Sequence, residues 1–150
     1  MTQQWLPLPR PYTHEDARAW TRRCETMRRA GDGVQCAVAL SGSDVLVGCV
    51  GLKRTDWRAR VTEIGYWSVP EHRGRGYITE AVRALARWAL ESEMQRVELL
   101  AAPGNLASNR VAVRAGFTYE GLMRNAGFVH GGRVDLGLYS LIPADVSQPA

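Results

Sequence analysis

Between Glu63 and Glu80 a β-patterned run, a loop of alternating arginine and glycine, and a helical run follow one another without a spacer. The order Glu63-Ile64-Gly65-Tyr66-Trp67-Ser68-Val69-Pro70-Glu71-His72-Arg73-Gly74-Arg75-Gly76-Tyr77-Ile78-Thr79-Glu80 predicts a strand ending at Val69, a loop over 73–76 and a helix from Ile78 or Thr79. Glycine lets a backbone turn tightly and approach a ligand closely. N–H groups from such a loop converge with those of the helix N-terminus, where the helix dipole favours negative charge, and this suits a pyrophosphate. Arg73 and Arg75 would add charge-assisted contacts. Alone, Arg-Gly-Arg-Gly reads equally as a solvated basic turn; the strand before it and the helix after it give it meaning. No Lys-Ser/Thr pair follows the last glycine, as an NTP-binding loop needs. The preceding strands read as hairpins, not as the parallel sheet of a dinucleotide fold. The expected cofactor therefore carries phosphate but is neither ATP nor NAD.

The 150 residues fit one domain, 1–150, with an irregular lead-in over 1–12, where prolines stand at 7, 9 and 11, and a frayed tail over 143–150. Thr13-His14-Glu15-Asp16 reads as a helix start with Thr13 as N-cap. Ala17, Trp20, Cys24 and Met27 recur at helical spacing until Gly31-Asp32-Gly33. Val34 to Leu40 and Val45 to Leu52 read as a hairpin turned by Ser41-Gly42-Ser43-Asp44. Arg60 to Val69 is a third strand. Thr79 to Ser92 is a helix with Ala81, Val82, Leu85, Trp88 and Ala89 inward, and Arg96 to Ala101 completes a strand–helix–strand unit. A helix from about Ala107 to Arg114 closes at Gly116. Phe117 to Met123 and Val134 to Ile142 form a terminal antiparallel pair joined by a glycine-rich loop. The fold class is α/β (α+β), with a mostly antiparallel, mixed central sheet flanked by helices.

Composition removes several classes of function. Hydrophobic residues at 45% and charged residues at 23% are ordinary for a globular chain. No apolar run approaches the ~20 residues of a membrane helix, and no signal peptide is visible at the start, so a cytoplasmic location and no membrane partner are expected. The net charge is +4, and Lys53 is the single lysine among 19 basic residues. Arginine grips phosphate in a fixed fork, which fits an anionic ligand, although a compositional bias accounts for the excess equally well. No block of five like charges and no base-stacking motif occurs, so no nucleic-acid partner is expected. Cys24, Cys36 and Cys49 match neither a disulfide framework nor a paired zinc site, and no metal is expected.

The run Arg73-Gly74-Arg75-Gly76-Tyr77-Ile78 between strand and helix resembles the acetyl-CoA loop, R/Q-x-x-G-x-G/A, of the GNAT N-acetyltransferase superfamily. Asn105-x-x-Ser108-x-x-Val111-x-x-x-x-Gly116-Phe117 resembles the second motif of that family. Glu63-Ile64-Gly65-Tyr66-Trp67 and Gly132-Arg133-Val134-Asp135-x-x-x-Tyr139-Ser140-Leu141 point to its RimJ/RimL branch, whose members acetylate protein N-termini. The resemblance runs from about Pro11 to Leu141 and implies a GNAT fold. It also implies direct transfer of acetyl from acetyl-CoA to a primary amine in a ternary complex.

The resemblance assigns Val69, Arg73, Gly74, Arg75, Gly76, Tyr77, Ile78, Thr79, Asn105 and Ser108 to cofactor binding. Val69 would offer backbone groups to the pantetheine amides, and Asn105 both its carbonyl and its amide. Glu63 is the catalytic base by position, on a strand face shared with Gly65, Trp67 and Val69 and near apolar neighbours. It could instead face solvent or pair with an arginine, and Glu71 is the second candidate. Ser108 would give a hydrogen bond to the leaving thiolate, or cap its helix and nothing more. Tyr66, Trp67, Phe128 and Tyr139 read as core.

Three departures from the family pattern matter. Ile78 stands where glycine or alanine is usual, so only its backbone N–H could serve the phosphate. Ala112 stands where many members carry the tyrosine that protonates the thiolate. The family's opening strand and first helix have no counterpart here, so the expectation is a sheet without that edge strand, an edge covered by a partner such as a second copy, or a truncated reading frame. The expected acceptor is a protein N-terminal α-amine. The alternatives are a small-molecule amine, such as an aminoglycoside or polyamine, and a catalytically idle acyl-CoA-binding module.

Overall fold

The structure is a computed structural model that describes residues 4–6 and 8–147. Helix α1 (His14–Ala30) starts at Thr13, whose hydroxyl accepts from the Asp16 N–H at 3.2 Å while the Asp16 carboxylate accepts from the Thr13 N–H at 2.8 Å. This reciprocal cap satisfies two N–H groups that a helix start otherwise leaves open. The helix ends at Gly31, in the left-handed region at φ +76. None of its residues is buried, and Trp20 is exposed. Its end is tied down by the Trp57 indole N–H, which donates to the Gly31 carbonyl at 2.8 Å.

The described residues form one six-stranded sheet: β1 (Val34–Ala39), β2 (Leu46–Asp56), β3 (Val61–Ser68), β4 (Arg96–Ala101), β5 (Thr118–Val129) and β6 (Gly132–Leu141). Its spatial order is β1-β2-β3-β4-β6-β5, antiparallel throughout except for the parallel pair β3–β4. That pair is joined by helix α2 (Tyr77–Glu91), as a parallel connection requires. Helix α3 (Leu106–Arg114) follows β4. The core forms where Val82, Ala86, Ala89 and Leu90 of α2 meet Val50, Leu52, Ile64, Val97 and Leu99 of the sheet, with Ala112, Ala115 and Phe117 closing the α3 end. Trp88, expected inward, is 53% exposed. Six residues advance a helix by about 600°, so Trp88 lies roughly 120° from Val82 and off the face that Val82 and Ala86 fix.

Two expectations at the C-terminal end are corrected. The fifth strand runs on to Val129 because the polar stretch after Met123 is a bulge, not a loop. At the bulge Asn125 takes φ +56, and the Asp135 carboxylate accepts its N–H at 2.7 Å. Gly127 is needed there, since an added Cβ would meet Val134 at 2.9 Å. The tail, expected to fray from Pro143, instead begins with the short helix α4 (Pro143–Val146), whose Asp145 carboxylate accepts the Ile142 N–H at 2.9 Å. Residues 148–150 lie outside the described residues.

Arg96 stitches β4 to β5. Its two Nη atoms donate to the Glu120 carboxylate at 2.7 Å each and its Nε to Glu98 at 2.7 Å, while the Ser140 hydroxyl donates to Glu120 at 2.6 Å. The guanidinium first, and the hydroxyl second, hold the Glu120 carboxyl down at about 2 from an ordinary 4.5. A depressed carboxyl contributes stability above its unfolded value and loses it as pH falls through the folded one, so this pair should weaken between about pH 4.5 and pH 2. Glu120 is 37% exposed, and solvent screening keeps the contribution small. Thermal melts across that window should therefore show the parent chain losing more Tm on acidification than Glu120→Gln. Equal acid slopes would contradict the pairing.

Candidate active site

The parallel ladder between β3 and β4 stops at Ile64 opposite Leu99. Beyond it, Gly65 to Ser68 continue pairing with β2, and Leu100 and Ala101 with β6. The two strands part, and a cleft opens in the middle of the sheet. The Val69 N–H donates to the Val47 carbonyl at 2.9 Å, and its carbonyl accepts from the His72 N–H at 3.1 Å. Both backbone groups of Val69 are thus engaged, with β2 and with the following turn, against the expectation that they are offered to the pantetheine amides. Because alternate residues of a strand present their backbone groups to opposite sides, Tyr66 and Ser68 are the ones turned towards the cleft.

The glycine loop lies at the mouth of this cleft. Gly74 and Gly76 take φ +75 and +84, and a Cβ added to either would meet nothing within 4 Å. The loop therefore borders open space in a conformation that glycine adopts without strain. Gly76 is the N-cap of α2, and no side chain caps the helix. The first bond of the helix runs from the Glu80 N–H to the Gly76 carbonyl at 3.0 Å, so the N–H groups of Tyr77, Ile78 and Thr79 point off the helix end. The Ile78 side chain packs over Gly48 against the core, leaving its backbone as the part that faces the loop.

Arg75 is exposed. Arg73 is turned back onto the strand, with Nε donating to the Ser68 hydroxyl at 3.2 Å and Nη2 to the Ser68 carbonyl at 3.3 Å, so it braces the loop. Glu71 is exposed on a single helical turn, Pro70–His72. Beside it the buried His72 Nδ1 has no hydrogen-bond partner among the described residues.

Across the cleft stands the first turn of α3. Asn105 is its N-cap, its side-chain oxygen accepting the Ser108 N–H at 3.2 Å. The carbonyl end of Asn105 is thus used within the helix, and its amide is the end left to meet a ligand. Ser108 Oγ lies 2.8 Å from the Tyr66 hydroxyl, so Tyr66, whose ring packs against the core as expected, also bridges β3 to α3. Burial pushes the Tyr66 phenol up to about 12, against the lowering effect of Ser108. Asn109, which sequence reasoning passed over, pins the loop before α3. Its amide donates to the carbonyls of Ala102, Pro103 and Asn105 at 3.1, 3.2 and 2.9 Å, and its oxygen accepts from the Tyr139 hydroxyl at 2.8 Å. Phe128, expected in the core, is exposed, whereas Tyr139 is buried.

Glu63 is 8% exposed and lies on the sheet face away from Ile64 and α2. Its neighbours are two cations, not the apolar residues expected: Lys53 Nζ at 2.9 Å and Arg54 Nη1 at 3.0 Å. The cause is a bulge in β2. The register slips between Lys53 and Asp56, and Arg54 takes φ +52, so that two successive side chains reach the same carboxylate. Glu98 stands beside Glu63 in the β3–β4 register, with Ser140 beyond it on β6. This polar row crosses three strands, and only the pairing register could have revealed it. Glu63 and Ser108 therefore flank β3 from opposite faces. No helix of the described residues is long and apolar enough to cross a membrane, and no group of three metal-ligating side chains occurs among them.

A sheet split between two parallel strands, with a glycine loop at an uncapped helix end, is the architecture of an acyl-CoA-binding acetyltransferase fold. Residues 1–118 match the acetyltransferase (GNAT) domain family, and the chain belongs to it. It is 40% identical over 112 residues to YdaF of Bacillus subtilis (strain 168), provisionally named a ribosomal N-acetyltransferase, covering 74% of this chain and 60% of that one. It is 35% identical over 100 residues to the ribosomal-protein-serine acetyltransferase of Escherichia coli (strain K12), covering 66% of this chain and 56% of that one. The chain thus spans less than two thirds of the length of these curated relatives. A solved structure of RimL, a ribosomal L7/L12 alpha-N-protein acetyltransferase in complex with coenzyme A, matches with a TM-score of 0.81 at 25% identity, over 93% of this chain and 79% of that one.

Proposed function

We propose that the chain transfers acetyl from acetyl-CoA directly to a primary amine, with a protein N-terminal α-amine as acceptor. The observation that carries this reading is the cleft between β3 and β4, with two open, positive-φ glycines and an uncapped helix end at its mouth. The backbone N–H groups of the loop and of Tyr77, Ile78 and Thr79 receive the pyrophosphate, with Arg75 adding charge from outside. The cleft-facing backbone of Tyr66 and Ser68, together with the Asn105 amide, holds the pantetheine arm. Holding donor and acceptor in one cleft converts a bimolecular encounter into a positioned one. Acetyl-CoA supplies the activated acyl group. The chain's own residues orient it and move the protons.

Glu63 accepts the amine proton. A carboxylate held by two cations must release one of them to do so, and Arg54, with its side chain 71% exposed, is the partner free to swing away. Glu71 is the second candidate. The names of the relatives support a peptide acceptor. The likeness to spermidine acetyltransferases, at 17% identity, speaks for the fold alone. A cytoplasmic location, and a second copy pairing with the edge strand β1, belong to the same reading.

The test is thiol release from acetyl-CoA with a panel of serine- and alanine-led peptides, spermidine and aminoglycosides. Release with a peptide is the expected result. Release with spermidine alone would move the acceptor to small amines, and binding without turnover on any amine would make the chain an idle acyl-CoA module.

A further inference from the structure

We propose that Tyr66 is a positioning residue for the sulfur side of the reaction: its phenol holds the Ser108 hydroxyl so that the Ser108 proton is directed into the cleft at the leaving thiolate. This rests on the reading that the cleft takes acetyl-CoA. Tyr66 stands two residues past the last β3–β4 pair, and its hydroxyl reaches Ser108 Oγ at 2.8 Å and the Ser108 carbonyl at 3.3 Å. A serine hydroxyl has one proton and two lone pairs. When Tyr66 donates to Ser108 Oγ, the serine proton stays available for another acceptor; when Ser108 donates to Tyr66, it does not. Burial keeps the phenol protonated throughout the working range, so it is always able to donate.

The turn that carries Ser108 has little freedom to drift. Asn105 caps its N–H, and Tyr139 holds the adjacent Asn109 through a second phenol. Two tyrosines from two strands thus clamp the start of α3, one of them on the reactive-side hydroxyl. Ala112, where many family members carry a tyrosine, is fully buried and has no polar atom to offer from its side chain.

In the transfer step the amine nitrogen forms a C–N bond to the acetyl carbonyl carbon, the C–S bond breaks and its electron pair goes to sulfur. Ser108 Oγ–H donates a hydrogen bond to that pair, and Tyr66 O–H turns from the Ser108 carbonyl onto Oγ. No proton leaves Tyr66. The proton that the thiolate finally takes up from solvent is balanced by the one the amine gives up to the base.

The experiment titrates the parent chain, Tyr66→Phe, Ser108→Ala and the double variant with coenzyme A and with desulfo-coenzyme A, at alkaline pH where the thiol ionises. A hydrogen bond to a charged group is worth enough for roughly tenfold in affinity, so the parent should bind coenzyme A about tenfold more tightly than the desulfo analogue. Each single variant should erase that preference, the double should lose no more than either, and desulfo-coenzyme A should bind all four alike. Preference kept in Tyr66→Phe but lost in Ser108→Ala would overturn the positioning role and leave Tyr66 as packing. No preference in the parent would remove the sulfur from Ser108 altogether. Binding of neither ligand to the parent would instead overturn the cofactor reading beneath it.

Discussion

Glu63→Gln is expected to lower kcat/KM by about 10²–10⁴-fold while leaving acetyl-CoA affinity unchanged, as for a general base removed in place. The substitution keeps the shape of the side chain and replaces a proton acceptor with an amide. The residual rate should climb with pH, because amine that is already neutral in solution needs no base. The local ion pairs sharpen the test. Lys53 and Arg54 lose their shared carboxylate in the variant, so a thermal melt run beside the kinetics separates lost chemistry from a loosened sheet. Near-normal turnover with an unaltered pH profile would move the base to Glu71 or to water.

Gly76→Val should weaken acetyl-CoA binding at least about tenfold, roughly 1.4 kcal/mol, by calorimetry. Gly76 sits at φ +84, a region that a β-branched residue enters only with strain, and its missing Cβ borders open space at the helix end. The variant should therefore disturb the loop, not the core. Ile64, Val82 and Leu99 are all nearly inaccessible and lie elsewhere. Unchanged affinity in a folded variant would contradict the loop assignment.

Local rules made most of the architecture legible. Thr13 and Asp16 announce a cap that forms as written, and the strand–loop–helix order around Gly74 and Gly76 appears at the expected place. What escaped was set by tertiary register. The partners of Glu63 come from a β2 bulge that turns Lys53 and Arg54 together, and nothing in the local pattern marks it. Glu98 gains its place only through the pairing of β3 with β4. Tyr66 reads as core because a tyrosine on a buried strand usually is, yet its hydroxyl meets a serine 42 residues further along the chain. Val69 lost its expected part to the parity of the ladder, which turns its backbone towards β2. Periodicity fixes which face a strand residue occupies, but pairing direction decides which edge its backbone serves.

The most direct test of the central claim follows an isotopically labelled acetyl group from acetyl-CoA into a serine-led peptide and locates it by fragment mass spectrometry. Direct transfer places the label on the α-nitrogen, with one coenzyme A thiol released for each acetylated peptide and both slowed by about 10²–10⁴-fold in Glu63→Gln. Label that stays on acetyl-CoA, with no acetylated amine in the presence of folded protein, would contradict it.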